Sequence, residues 1–126
     1  MTSAHEPAYI REHGPLEVPL RIVRLEDQIA EVKKEAAWEH GERSAKTLVK
    51  EGGLSAVLIV MRAGTALHEH KAEGPATIHC LAGRIELDAY GRMVELAPGE
   101  LASLDSGVRH SVKAITEAAI LVTLVQ

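Results

Sequence analysis

The stretch "GTALHEHKAEGPATIHCLAG", residues 64–83, carries His68, His70 and His79 between two glycines, Gly64 and Gly83. In extended backbone, side chains alternate between faces. His68 and His70 should therefore project from one side, roughly 7 Å apart along the strand, with Glu69 pointing the other way. Two imidazoles so placed can reach one metal ion. They would hold a divalent ion poorly alone, so a third ligand must come from another strand. His110, which opens "HSVKAI" after the glycine-containing loop "LDSGVR", is the candidate.

Outward from this stretch the texture is that of short strands. From about residue 42 to the end, runs rich in Val, Ile, Leu and Thr are cut at intervals by glycine and proline: "KTLVK", "LSAVLIVM", "ATIHCLAG", "RIEL", "MVEL", "ELASL", "HSVKAI" and "AAILVTLV". The breakers "EGG" (51–53), "EGP" (73–75), "AYGR" (89–92) and "APGE" (97–100) fit hairpins and longer turns. Eight or so such strands predict an all-β antiparallel sandwich or barrel.

The N-terminal part differs. Residues 1–20 hold Pro7, Pro15 and Pro19, which remove amide donors and disfavour helix, so an extended arm is expected there. Leu25, Ile29, Val32 and Ala36 then recur at spacings of four, three and four. They predict one amphipathic helix from Leu25 to Trp38, closing near Gly41. At 126 residues the chain is long enough for one domain and too short for two, so residues 21–126 read as a single domain behind the arm.

Composition excludes several classes of function. The net charge is −4 with both signs dispersed, unlike the basic stripe of a nucleic-acid binder. Tyr9, Trp38 and Tyr90 are the only aromatics, too few for a stacking platform. The first twenty residues lack an apolar run of signal-peptide or membrane-span length, and Cys80 is the only cysteine. A cytoplasmic protein without membrane or nucleic-acid partners is expected.

Together the two histidine-bearing stretches resemble the paired motifs of the cupin superfamily, the double-stranded β-helix or jelly-roll proteins. The first motif falls on Gly64, His68, His70 and Gly83, and the second on Gly99, Gly107 and His110, with a hairpin-length gap between them. The resemblance spans roughly residues 54–125. It implies an RmlC-like cupin barrel, a homodimer, and an open site in which His68, His70 and His110 hold a divalent Fe, Mn, Ni or Zn ion. The apolar stripe of the predicted helix would suit burial at the dimer interface.

Three motif positions depart from the family pattern. Ala76 stands where the family's glutamate ligand would be, Asp105 replaces the proline of the second motif, and Ala114 replaces its closing asparagine. Glu73, in the turn before the strand, would have to fold back to supply the missing carboxylate. Measured from position 76, Cys80 lies about 13 Å along the strand and His79 about 10 Å away on the outer face, so neither should reach the metal. Cys80 reads as a small buried hydrophobe, Arg109 as a solvated charge with a substrate clamp as its alternative, and Asp105 as a residue that orients the loop or a metal-bound water. Without the glutamate a bound metal would be more electrophilic and better suited to anionic or enolate-like ligands. Two functions stay open: a metal-dependent, oxygenase-type enzyme acting on a small molecule, or a non-catalytic small-molecule binding or sensing module.

Overall fold

The computed structural model describes residues 10–12, 19–71 and 73–126, with the backbone alone at 10–12 and at His70. Most of the expected arm, including Pro7 and Pro15, lies outside the described residues. Within that part of the chain β1 (Ile10–Glu12) pairs in parallel with β2 (Leu20–Ile22). Next come α1 (Leu25–Val32), α2 (Ala36–Glu39) and nine strands: β3 (Arg43–Glu51), β4 (Leu54–Met61), β5 (Ala66–Lys71), β6 (Ala76–Ala82), β7 (Ile85–Ala89), β8 (Arg92–Leu96), β9 (Leu101–Leu104), β10 (Arg109–Ala114) and β11 (Ala118–Val125).

These nine strands form two antiparallel sheets, ordered β5-β10-β7-β8 and β3-β4-β11-β6-β9. The fold is all-β, a double-stranded β-helix closed by the inner faces of the two sheets. Met61, Ile78, Cys80, Ile85, Leu87, Val112, Ala118 and Ile120 meet between them as the barrel core.

A second core lies outside the barrel. Leu58 and Val60 of β4, Leu48 of β3 and Ala119 of β11 face away from the barrel and pack against Val32 and Trp38, with Leu25 and Ile29 at the edge. This two-sided burial explains why "LSAVLIVM" and "AAILVTLV" show no polar alternation: from Leu58 to Met61 and from Ala118 to Val122, successive residues turn towards one core and then the other. It also revises the purpose expected of the helical stripe. Val32 is fully buried against the chain's own five-stranded sheet, and Leu25 and Ile29 are half-buried beside it, so the stripe serves this sheet first.

The predicted single helix is two, separated by a turn at Lys33–Glu35, and Ala36 is exposed. Six residues of continuous helix would rotate Trp38 well away from the face of Val32. The turn instead lets both side chains reach the same sheet. Arg62 secures the arrangement: its guanidinium lies 4.1 Å from the centre of the Trp38 ring and donates to the carbonyls of Trp38 (2.9 Å) and Gly41 (3.0 Å). Carbonyls that a helix C-terminus leaves without partners are thereby satisfied. Gly41 is needed there because a Cβ would come within 2.6 Å of the Ala37 carbonyl oxygen.

Candidate functional site

The site begins at the loop between β9 and β10. Asp105 and Val108 close a turn through Val108 N–H and the Asp105 carbonyl (3.3 Å), with Gly107 at φ +78°. This loop delivers β10 with His110, Val112 and Ala114 facing the interior and Arg109 and Lys113 facing solvent. His110 is 2% exposed, and its Nδ1 lies 3.1 Å from the Val108 carbonyl oxygen. A carbonyl can only accept, so Nδ1 carries the proton of this bond. In the neutral ring the lone pair is then on Nε2.

Across from it, β5 does not follow simple alternation. Arg109 pairs with Lys71 and His110 with His70, yet the next paired positions are Val112 with Leu67 and Lys113 with Ala66. β10 advances two residues where β5 advances three. His68 and Glu69 together oppose Ser111, which is a β-bulge. Because His110 and Val112 share the inner face, the register assigns Leu67, the partner of Val112, to that face. Leu67 does pack against the barrel core.

Plain alternation is interrupted by the extra residue between Leu67 and His70, and His68 is exposed. The His70 side chain lies outside the described residues. Among the described residues no group of three His, Cys, Asp or Glu side chains stands together as a metal site, a count from which His70 is excluded.

The other sequence candidates are placed as follows. Ala76 is 4% exposed at the start of β6, so a methyl group occupies the position of the family's glutamate, and Glu73 is exposed on the preceding bend. His79 is half-buried on the outer face of β6, opposite Leu121 and Leu101. Cys80 is fully buried in the barrel core, its Sγ 3.4 Å from the Gly83 carbonyl oxygen, and burial pushes its thiol pKa up. Arg109 is solvent-facing and pairs with Glu69 of the bulge at 3.6 Å. Of the alternatives for Arg109, the solvated charge is what the structure contains.

Near His110 the barrel is open between the edge strands β8 and β9. A cavity of about 460 Å³ is lined by Leu87, Ala89, Val94, Ala102, Leu104 and Val108, with Tyr90, Arg92, Ser103 and Asp105 as its polar members. Ala89 is the cross-strand partner of His110, so the buried imidazole and the cavity are adjacent on one sheet face. Asp105, expected from the sequence to orient the loop or a metal-bound water, lines this cavity, while the contribution of the β7–β8 hairpin was not expected. The available signal was "AYGR", an aromatic residue in a tight turn of a chain with few aromatics.

Residues 57–125 match the family described as Cupin domain. The chain belongs to the cupin superfamily. Solved structures agree in fold. A cupin 2 conserved barrel domain protein from Leptotrichia buccalis is 31% identical, the alignment covering 69% of this cupin and 42% of that chain at a TM-score of 0.64. A cupin-2 domain containing protein from Shewanella frigidimarina is 13% identical over 83% of this cupin and 95% of its own chain, with a TM-score of 0.66. A salicylate 1,2-dioxygenase variant from Pseudoaminobacter salicylatoxidans, 18% identical, reaches a TM-score of 0.70 over 80% of this cupin but only 33% of the dioxygenase chain. No curated protein matches the sequence.

Proposed function

We propose that this cupin binds a divalent metal ion on His70 and His110, with His68 as third ligand from the bulge, and that the centre serves a small molecule seated in the adjacent cavity. The observation that carries the proposal is the His110 ring. It is buried, held by its Nδ1 proton on the Val108 carbonyl, and lies in register with His70. A metal-ligating histidine characteristically has its other ring nitrogen bonded to a carbonyl or carboxylate, which fixes the tautomer and the ring plane. Imidazole ligands suit Fe, Mn, Ni or Zn. When bound, such an ion would supply Lewis-acid and, for Fe or Mn, redox chemistry.

The protein's own contribution is to hold the ligands and shield the substrate. Leu87, Ala89, Ala102 and Leu104 give the substrate an apolar floor, and Asp105 at the rim is the one carboxylate among the described residues that line the cavity. Its position supports the role of a proton acceptor or of a group that orients water. A non-catalytic binding module is the second reading, favoured by Ala76: the interior position from which a further carboxylate would act bears only a methyl group.

Elemental analysis after exhaustive dialysis tests the proposal. Near-stoichiometric Fe, Mn, Ni or Zn in the wild type, lost from the His70→Ala, His110→Ala double variant, is the expected result. Folded wild-type protein that contains no metal and takes none up on titration would overturn it and leave the binding module.

A further inference from the structure

The hairpin joining β7 to β8 has two unusual residues on one lip of the cavity. Ala89 pairs with Arg92, so the turn contains only Tyr90 and Gly91, at φ +53° and +71°. Positive φ at both central positions makes this a type I′ turn, which favours asparagine, aspartate or glycine. A tyrosine in left-handed backbone is strained, and Tyr90 is also 86% exposed although it lines the cavity. Backbone strain of this kind is retained at ligand clamps and similar sites. Two residues after Tyr90, Arg92 lines the same cavity, and among the described residues no hydrogen bond or ion pair engages its guanidinium. Arg43, Arg62, Arg84 and Arg109, by contrast, are each held by a carbonyl or carboxylate.

We infer that the cavity takes a small monoanionic molecule with an apolar body, typified by an aryl carboxylate, whose anionic group pairs with Arg92 while Tyr90 closes over its body. This deepens the proposed function and rests on its reading of the mouth as a small-molecule site. It differs in assigning the anion to a protein cation rather than to the metal. The chemistry follows from the lining. Leu87, Ala89, Val94, Ala102, Leu104 and Val108 offer an apolar surface that rewards burial of a ring or short chain. The planar fork of a guanidinium matches a carboxylate with two parallel hydrogen bonds. Asp105 on the same lining sets orientation, because an anion placed on its side of the mouth meets like charge.

The test uses benzoate and its neutral isostere benzamide, titrated by calorimetry into full-length protein as purified and again after chelator treatment. Benzoate should bind about tenfold more tightly than benzamide, and Arg92→Gln should erase that preference by weakening benzoate far more than benzamide. Arg92→Lys should keep part of the preference, and Asp105→Asn should tighten benzoate about twofold to threefold by removing the like charge. Tyr90→Asn should weaken both ligands yet raise the melting temperature by about 3–6 °C, since asparagine suits the turn.

Equal affinity for the two probes, no binding of benzoate, or a preference that survives Arg92→Gln would overturn the inference. The metal reading fails or stands separately. A preference that follows metal content and ignores Arg92 places the anion on the metal, sinking this inference alone. An Arg92-dependent preference in protein that takes up no metal sustains the inference while the metal centre falls.

Discussion

His110 and His70 stand directly opposite one another in the ladder of β10 and β5, whereas His68, two residues from His70, is displaced by the extra residue of the bulge. The three histidines are therefore unequal. His70 and His110 form a regular ladder pair, and His68 belongs to the bulged segment opposite Ser111.

That inequality predicts a graded loss of metal. Replacing His70 or His110 by alanine should lower metal affinity by about a hundredfold or more, and replacing His68 by about tenfold, because a ligand on irregular exposed backbone is less preorganised. Competition against a chromogenic chelator measures all three. Equal losses would show that the bulge does not weaken the contribution of His68.

Cys80 should be chemically silent in the native protein. Its Sγ is enclosed by the barrel core and burial raises its pKa, so thiol reagents should label it only on unfolding. The sign for stability follows. The folded thiol keeps its proton at a pH where the unfolded one, with a pKa of about 8.5, ionises. This contribution is present below that value and is lost as the pH rises through it towards the folded pKa. Cys80→Ala should flatten that alkaline decline in a series of denaturant melts.

The outer core can be weakened without touching the site. Trp38→Ala removes the ring that Arg62 covers and should cost about 3–5 kcal/mol, loosening α1 and α2 from the sheet. Hydrogen exchange should rise first in the two helices, while metal content per folded molecule stays at the wild-type level. Loss of metal in protein that is still folded would show that the two cores are coupled.

Two glycines with the same backbone sign should respond differently. Gly91 and Gly83 both have positive φ, but a Cβ on Gly91 meets open space, whereas one on Gly83 runs into the carbonyl oxygen of Glu117 and the Cα of Ala118. Gly91→Ala should cost about 1 kcal/mol and Gly83→Ala about 3 kcal/mol or more, compared by urea denaturation.

Much of the architecture was legible because the barrel strands carry their own punctuation. The runs from "KTLVK" to "AAILVTLV" became β3, β4 and β6 to β11 since glycine and proline mark their ends and their interiors favour extended backbone. His110 was legible for a similar reason: a turn residue, Gly107, fixes where its strand begins. The bulge at His68 was not. Alternation is a property of one strand, while a bulge is set by how two strands some forty residues apart come into register. Likewise the spacing of Leu25, Ile29 and Val32 predicted a buried face correctly, but extending it through Ala36 presumed an unbroken helix. The need of Trp38 to reach the same sheet decided otherwise. The cavity lining lay furthest from view, since Leu87, Val94 and Leu104 read simply as core residues until the gap between β8 and β9 is seen.

The two sides of the barrel differ in how freely they can change. On β4 and β11 the positions from Leu58 to Met61 and from Ala118 to Val122 each answer to a core, so substitutions there are tested against folding itself. On β8, Arg92, Met93, Val94 and Glu95 are all exposed and only Leu96 is buried. The strand that shapes the mouth thus contributes little to holding the molecule together. Mutation can explore new ligands along β8 with small losses of stability, which makes this lip the natural place for related proteins to diverge in what they accept and for a designer to alter specificity first.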